Sequence, residues 1–104
     1  MLSVGCSAGE ANWLVDPPEV GSERAVWVKY RYNSEPVRGV VVGGVEGSES
    51  TPSGRAGLFS VRFDEPQSAV APGQALVVFD AQRTERVLGG GWIRDVVPLR
   101  VQKA

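Results

Sequence analysis

Short runs in which apolar and polar residues alternate recur along the chain and predict β-strands. The clearest run covers residues 25–32, where Val26, Val28 and Tyr30 alternate with tryptophan and charged side chains. A period of two, with β-branched and aromatic residues, is typical of a strand that buries one face. Similar patterns predict further strands at residues 37–42, 58–64, 75–79, 87–93 and 96–101.

No helix is predicted, because apolar residues nowhere recur at helical spacing over three turns. The 13 glycines and 7 prolines fall between the short apolar runs, which indicates many tight turns. The opening residues 1–9 are small, and only Leu2 and Val4 suggest the remnant of a strand. These features predict an all-β fold, a small closed or partly open antiparallel barrel of about six strands. Closure would also remove the exposed edges of such strands.

The length of 104 residues suits one domain with a modest core, and we assign residues 1–104 to a single barrel. A composition of 42% hydrophobic and 22% charged residues is too apolar for a disordered tail. No apolar run approaches the ~20 residues that span a bilayer. Residues 1–9 also lack the basic start and apolar run of a signal peptide. We therefore expect a cytoplasmic protein with no membrane partner.

Residue types that carry catalysis or bind metals are scarce. Cys6 is the only cysteine and histidine is absent, which excludes His–Cys zinc sites and Ser-His-Asp triads. Small neutral neighbours predict an inert thiol at Cys6 rather than a nucleophile. Asp64 and Glu65 are adjacent, so on a strand they would face apart. We interpret them as strand-end polar groups rather than an acid–base pair, and predict no catalytic residue and no metal site.

Two glycine-rich segments allow a structural and a functional interpretation. Residues 43–57 predict a mobile surface loop, since no Gly-Lys-Ser/Thr sequence or following helix supports a phosphate-binding loop. Gly89, Gly90 and Gly91 interrupt a strand pattern. The favoured interpretation is a bulge or barrel corner that another backbone approaches closely. Approach by a ligand or RNA is the alternative.

A net charge of −1 argues against strong independent binding to nucleic acid. The charge is uneven, however, and residues 24–38 are locally basic. Lys29 and Arg31 would share one strand face about 7 Å apart, at ~3.3 Å per residue, which is near the spacing of successive phosphates. Trp27 or Tyr32 could stack on a base. A solvated outer face is the other interpretation, and Tyr32 can join Arg31 only at a barrel rim.

Five segments, taken in this order, resemble the C-terminal domain of the tRNA-specific 2-thiouridylases. They are Asn-Trp-Leu at 12–14, Val-Lys-Tyr-Arg-Tyr at 28–32, Val-Arg-Phe-Asp-Glu-Pro at 61–66, Ala-Val-Ala-Pro-Gly-Gln at 69–74 and Val-Leu-Gly-Gly-Gly-Trp-Ile at 87–93. Each segment is a weak signal alone, whereas the combination is specific and covers most of the chain.

The resemblance implies a barrel similar to domain 2 of translation elongation factors. It also implies an accessory role in an enzyme that replaces the 2-oxygen of the wobble uridine with sulfur. In that family ATP activates the uridine and a cysteine persulfide delivers sulfur, both in a separate catalytic domain. No cofactor is therefore expected in this chain.

The same resemblance implies that Arg31, Tyr32 and Gln74 contact tRNA. Arginine suits a phosphate, tyrosine suits stacking or a hydroxyl bond, and glutamine has two donors and an acceptor for a sugar or base edge. The expected partners are tRNA and the catalytic domain, in cis or in trans. A stand-alone barrel that binds protein instead is the alternative.

Overall fold

The strands close into a barrel in the computed structural model, which describes residues 2–16, 18–32, 34–44 and 58–99. These residues form β1 (Leu2–Trp13), β2 (Glu23–Lys29), β3 (Val37–Gly43), β4 (Phe59–Ser68), β5 (Ala75–Asp80) and β6 (Val87–Pro98). Every neighbouring pair is antiparallel, and the order around the barrel is β1-β4-β3-β2-β5-β6, with β6 paired to β1. The predicted all-β class and closed barrel are confirmed. In the part of the chain that the structure describes, no helix is long and apolar enough to cross a membrane.

Alternate residues of the strands point into the barrel and form its core. The largest fully buried side chains include Phe59, Leu76, Leu88 and Ile93. Trp13 closes one end of this core, with its ring edge-to-face on Phe59 at a centroid distance of 5.0 Å. Such burial of apolar surface supplies most of the stability of a small domain.

The first strand is the largest departure from the sequence prediction. Residues 1–9 suggested only the remnant of a strand, but β1 runs over 12 residues. Its backbone is paired on both sides, to β4 and to β6, so the ladder stabilises a segment with little β-propensity. Small residues also permit close approach, since a Cβ at Gly5 would lie 2.5 Å from the Val61 carbonyl oxygen.

Three other strand boundaries differ from the predictions. β2 ends at Lys29, so Arg31 and Tyr32 lie beyond it and not within a strand. β4 continues to Ser68, which makes Asp64 and Glu65 exposed mid-strand residues and not strand-end groups.

The two strands predicted at 87–93 and 96–101 are one strand, β6, up to Pro98. The register of β6 against β1 shifts between Ile93 and Asp95, as in a bulge that inserts one residue. Residues 100–101 of that prediction lie outside the described residues, as do residues 45–57 of the predicted loop.

The antiparallel strand order determines at which end of the barrel each connection lies. β2 ends beside the start of β3 and the start of β5, because Val28 pairs with Val37 and Lys29 with Val77. β4 also ends there. One end therefore carries the β2–β3 and β4–β5 connections, and we call it the Arg31 rim. It comprises residues 30–32, 34–36 and 69–74.

Candidate nucleic-acid interface

Arg31 and Tyr32 lie in the turn that follows β2 on the Arg31 rim. The turn is held by Ser34, whose backbone N–H and hydroxyl both donate to the Arg31 carbonyl oxygen, at 3.3 and 3.1 Å. Tyr32 is 90% exposed and Arg31 is exposed as well. Because Tyr32 lies outside the strand, the alternation that would oppose it to Arg31 no longer applies. Both side chains are exposed on the same rim.

Tyr30 anchors this turn to the neighbouring connection. Its ring is buried in the core against Phe63, with ring centroids 5.9 Å apart. Its hydroxyl reaches the rim and donates to the Ser68 carbonyl oxygen at 2.7 Å. Burial raises the pKa of Tyr30 above its ordinary value, although the nearby Arg31 charge acts in the opposite direction. A neutral hydroxyl therefore holds the end of β2 against the end of β4.

Gln74 lies on the same rim, and its side chain organises the β4–β5 connection. Its Oε1 accepts from the Ala71 N–H at 2.9 Å, and its Nε2 donates to the Ala69 carbonyl oxygen at 3.1 Å. Ala69 has a φ of 62°, a left-handed conformation that alanine adopts only when neighbours hold it there. The structure thus assigns Gln74 a role in building the loop. Its predicted contact with tRNA stays a prediction.

The structure places all three predicted contact residues at one end of the barrel. Arg31 and Tyr32 follow β2, Gln74 precedes β5, and β2 and β5 are paired neighbours. The backbone of Gln74 is fixed in turn to β6, since its carbonyl oxygen accepts from the Ile93 N–H at 2.8 Å. The set is neither dispersed around the molecule nor sealed inside it.

Asp80, at the opposite end of the barrel, is paired with two arginines, in contrast to Arg31. Asp80 is 3.5 Å from Arg24 and 3.9 Å from Arg86. Its Oδ1 also accepts the backbone N–H groups of Gln82 and Arg83 at 2.8 and 3.3 Å. The bond from Gln82 is the main cause that lowers the pKa of Asp80. Within the described residues, Arg31 makes no ion pair, so its guanidinium faces solvent.

Trp27, one of the two residues expected to stack on a base, has a cation over its ring. The guanidinium of Arg38 lies over its ring at 4.9 Å from the centroid. Its indole N–H donates to the Ala81 carbonyl oxygen at 3.2 Å. Cation–π contact and this hydrogen bond fix Trp27 on the barrel wall.

Trp92 is an exposed aromatic residue that sequence reasoning did not select. It is 51% exposed on the outer side of β6, and it pairs with Ala75, the residue after Gln74. Its outward direction follows from the inward direction of Ile93, which the alternation alone could have indicated.

The three glycines at 89–91 have the structural role that the sequence favoured. A Cβ at Gly89 would lie 2.7 Å from the Asn12 carbonyl oxygen, and one at Gly91 would lie 2.7 Å from that of Gly9. At Gly90 it would collide with the Leu76 carbonyl oxygen. Close approach of neighbouring strands therefore requires glycine at these positions.

Cys6 has the properties of an inert core residue. It is 2% exposed, and burial raises the pKa of its thiol to about 11. At neutral pH the thiol is protonated and out of reach of a substrate, whereas nucleophilic cysteines need a thiolate. A buried thiol with a raised pKa agrees with the prediction of an inert cysteine.

The fold and its rim define a small antiparallel β-barrel domain with exposed cationic and aromatic groups at one end. The chain belongs to the aminomethyltransferase beta-barrel domain family, whose model matches residues 3–93. The tRNA-specific 2-thiouridylase MnmA of Rhodopirellula baltica is 43% identical over 93% of this chain and 22% of its own length. Those of Syntrophotalea carbinolica and a Synechococcus strain are 40% and 38% identical over 79% and 89% of this chain.

These matches confirm the resemblance to the 2-thiouridylases at the level of the barrel. The chain spans about a fifth of the length of these curated relatives, since it covers 22%, 19% and 23% of them.

Proposed function

We propose that this chain is a tRNA-contacting accessory domain of a tRNA-uridine 2-sulfurtransferase, and that it is not catalytic alone. The observation that carries the proposal is the match of 2-thiouridylases to nearly the whole barrel, 93% of the chain in the Rhodopirellula relative. The proposed partners are tRNA and the catalytic domain of that enzyme, in cis or in trans. ATP and the sulfur-carrying cysteines belong to that domain, and we place the assembly in the cytoplasm.

The physical role of the barrel is to add contacts to a tRNA held mainly by another polypeptide. A net charge of −1 gives little general attraction to phosphates. A single exposed cation such as Arg31 can still fix the register of the RNA backbone, because phosphate contacts position a nucleic acid without reading its sequence. Tyr32, at 90% exposure, offers a ring or hydroxyl beside it.

Arg31→Ala in the full chain tests the proposal, with the catalytic part of the Rhodopirellula relative supplied by fusion or as a separate chain. Loss of one exposed charge-assisted contact is worth about 1 kcal/mol, so tRNA affinity should fall roughly three- to tenfold. The slope of log affinity against log salt should also fall by about one, as expected for one released counterion.

Arg83→Ala is the matched control, because Arg83 is an exposed arginine at the opposite end of the barrel. It should leave both the affinity and the salt slope unchanged. An unaltered affinity and slope for Arg31→Ala, at unaltered stability, would contradict the proposal. That result would favour a barrel that binds protein.

A further inference from the structure

A groove on the outer wall of the barrel lies beside the Arg31 rim. Its volume is about 300 Å³, and it runs over the glycine segment of β6 between β1 and β5. Gly89, Gly90 and Gly91 supply no side chains to its floor. Trp92 and Ala75 line the end of the groove nearest the rim, and Leu14 and Val87 line the other end. We call it the glycine groove.

One cation, Lys29, stands across β5 from this groove. The register pairs Lys29 with Val77 and Val77 with Gly90. Lys29 and Gly90 are therefore separated by two strand spacings, about 10 Å between their Cα positions. Arg31 follows Lys29 by two residues, in the turn on the Arg31 rim.

Trp92 lies on the outer wall of the barrel, whereas its neighbour Ile93 is buried in the core. Trp92 is 51% exposed, and it lines the end of the groove nearest the rim. Trp27 is the other tryptophan on the outer wall, and Arg38 covers its ring. Trp92 thus offers an uncovered aromatic surface next to a bare backbone floor, which is the arrangement that stacks nucleobases in single-stranded RNA sites.

We propose that the glycine groove binds one unpaired RNA nucleotide, with its base stacked on Trp92 and its phosphate directed towards Lys29 and Arg31. This site deepens the proposed function and rests on it. The acidic residue Glu10 lines the groove on its β1 side, so the negatively charged RNA backbone is directed to the opposite, cationic side. The floor of the groove carries few polar side chains that could read a base edge. The site therefore accepts any base, because every base can stack on Trp92 through its own π face.

Trp92→Ala in the full chain tests the site, with a short single-stranded oligouridylate at low ionic strength as the probe. Loss of one stacked base should weaken binding at least about fivefold. The salt slope should stay unchanged, because no phosphate contact is removed. Trp92→Phe keeps a stacking ring and should restore most of the affinity. Binding should also quench the tryptophan fluorescence of the unmodified chain, and Trp92→Phe should remove most of that quenching.

Val97→Ala is the matched control, since Val97 lies on the same strand and is also 51% exposed. It should bind the oligouridylate as the unmodified chain does, and the melting temperatures of all variants should show that each is folded. Absence of binding by the unmodified chain at low ionic strength would overturn the site.

Failure of this site can be told apart from failure of the proposed function. If Trp92→Ala binds normally while Arg31→Ala still weakens tRNA binding, the nucleotide site is wrong and the accessory role stands. This is also the result expected if the groove packs against protein. If neither substitution changes RNA binding, both proposals are wrong.

Discussion

Gln74→Ala distinguishes a loop-building glutamine from one that acts only through RNA. The substitution removes two hydrogen bonds within the β4–β5 connection, one to the Ala71 N–H and one to the Ala69 carbonyl oxygen. Each such bond contributes about 0.5–1.5 kcal/mol net. Ala69 and Ala71 are exposed, so water replaces the lost partners and the lower value applies to each.

The expected loss of stability for Gln74→Ala is therefore about 1 kcal/mol. For a domain of this size that corresponds to a fall in Tm of roughly 4 °C, measurable by circular dichroism without any RNA. Gln82→Ala is the control, because Gln82 bonds Asp80 through its backbone N–H, which the substitution keeps. An unchanged Tm for Gln74→Ala would refute the assigned role and leave RNA contact as the remaining reason for glutamine there.

Three further outcomes follow from the core and from the charged turn. Leu76→Ala should lower the free energy of unfolding by about 3 kcal/mol in urea titration, because it leaves a cavity at a fully buried position; a loss below 1 kcal/mol would mean that the barrel collapses around the site. Cys6, with its pKa raised to about 11, should resist iodoacetamide at pH 8 in the folded chain and react in urea, as followed by mass spectrometry. The lowered pKa of Asp80 means that its ionised form stabilises the fold above the ordinary value of 3.8, and that this contribution is lost as pH falls through the lowered pKa. Asp80→Asn should therefore destabilise the chain at neutral pH and match the original chain in strong acid; equal stability at all pH values would contradict this assignment.

The position of the candidate site was predictable in part, because each of its residues lies next to a strand or turn that the sequence pattern predicts. Arg31 and Tyr32 end the strand predicted at residues 25–32, and Gln74 follows a turn with Pro72 and Gly73, so each was expected near a strand end. The hydrogen bonds of the Gln74 side chain could not be predicted from the sequence pattern. The side-chain amide of Gln74 bonds its own loop because the backbone turns at Ala69 in a left-handed conformation. An alanine in the sequence does not predict such a conformation.

The residues alone were enough to predict the class of fold, and they show that histidine is absent. Alternation between apolar and polar residues is a local property, so it identified most strands, and the lack of histidine excludes whole classes of site whatever the fold.

Which strands become neighbours is settled only when the chain folds. β1 exists as a strand of 12 residues because β4 and β6 pair with it on both sides, although its residues alone predicted little. Pairing of β5 with β6 likewise brings Trp92 beside Ala75, the residue after Gln74, from a distant part of the chain. Strand pairing depends on contacts between residues far apart in the sequence, and a local pattern of apolar and polar residues does not predict such contacts.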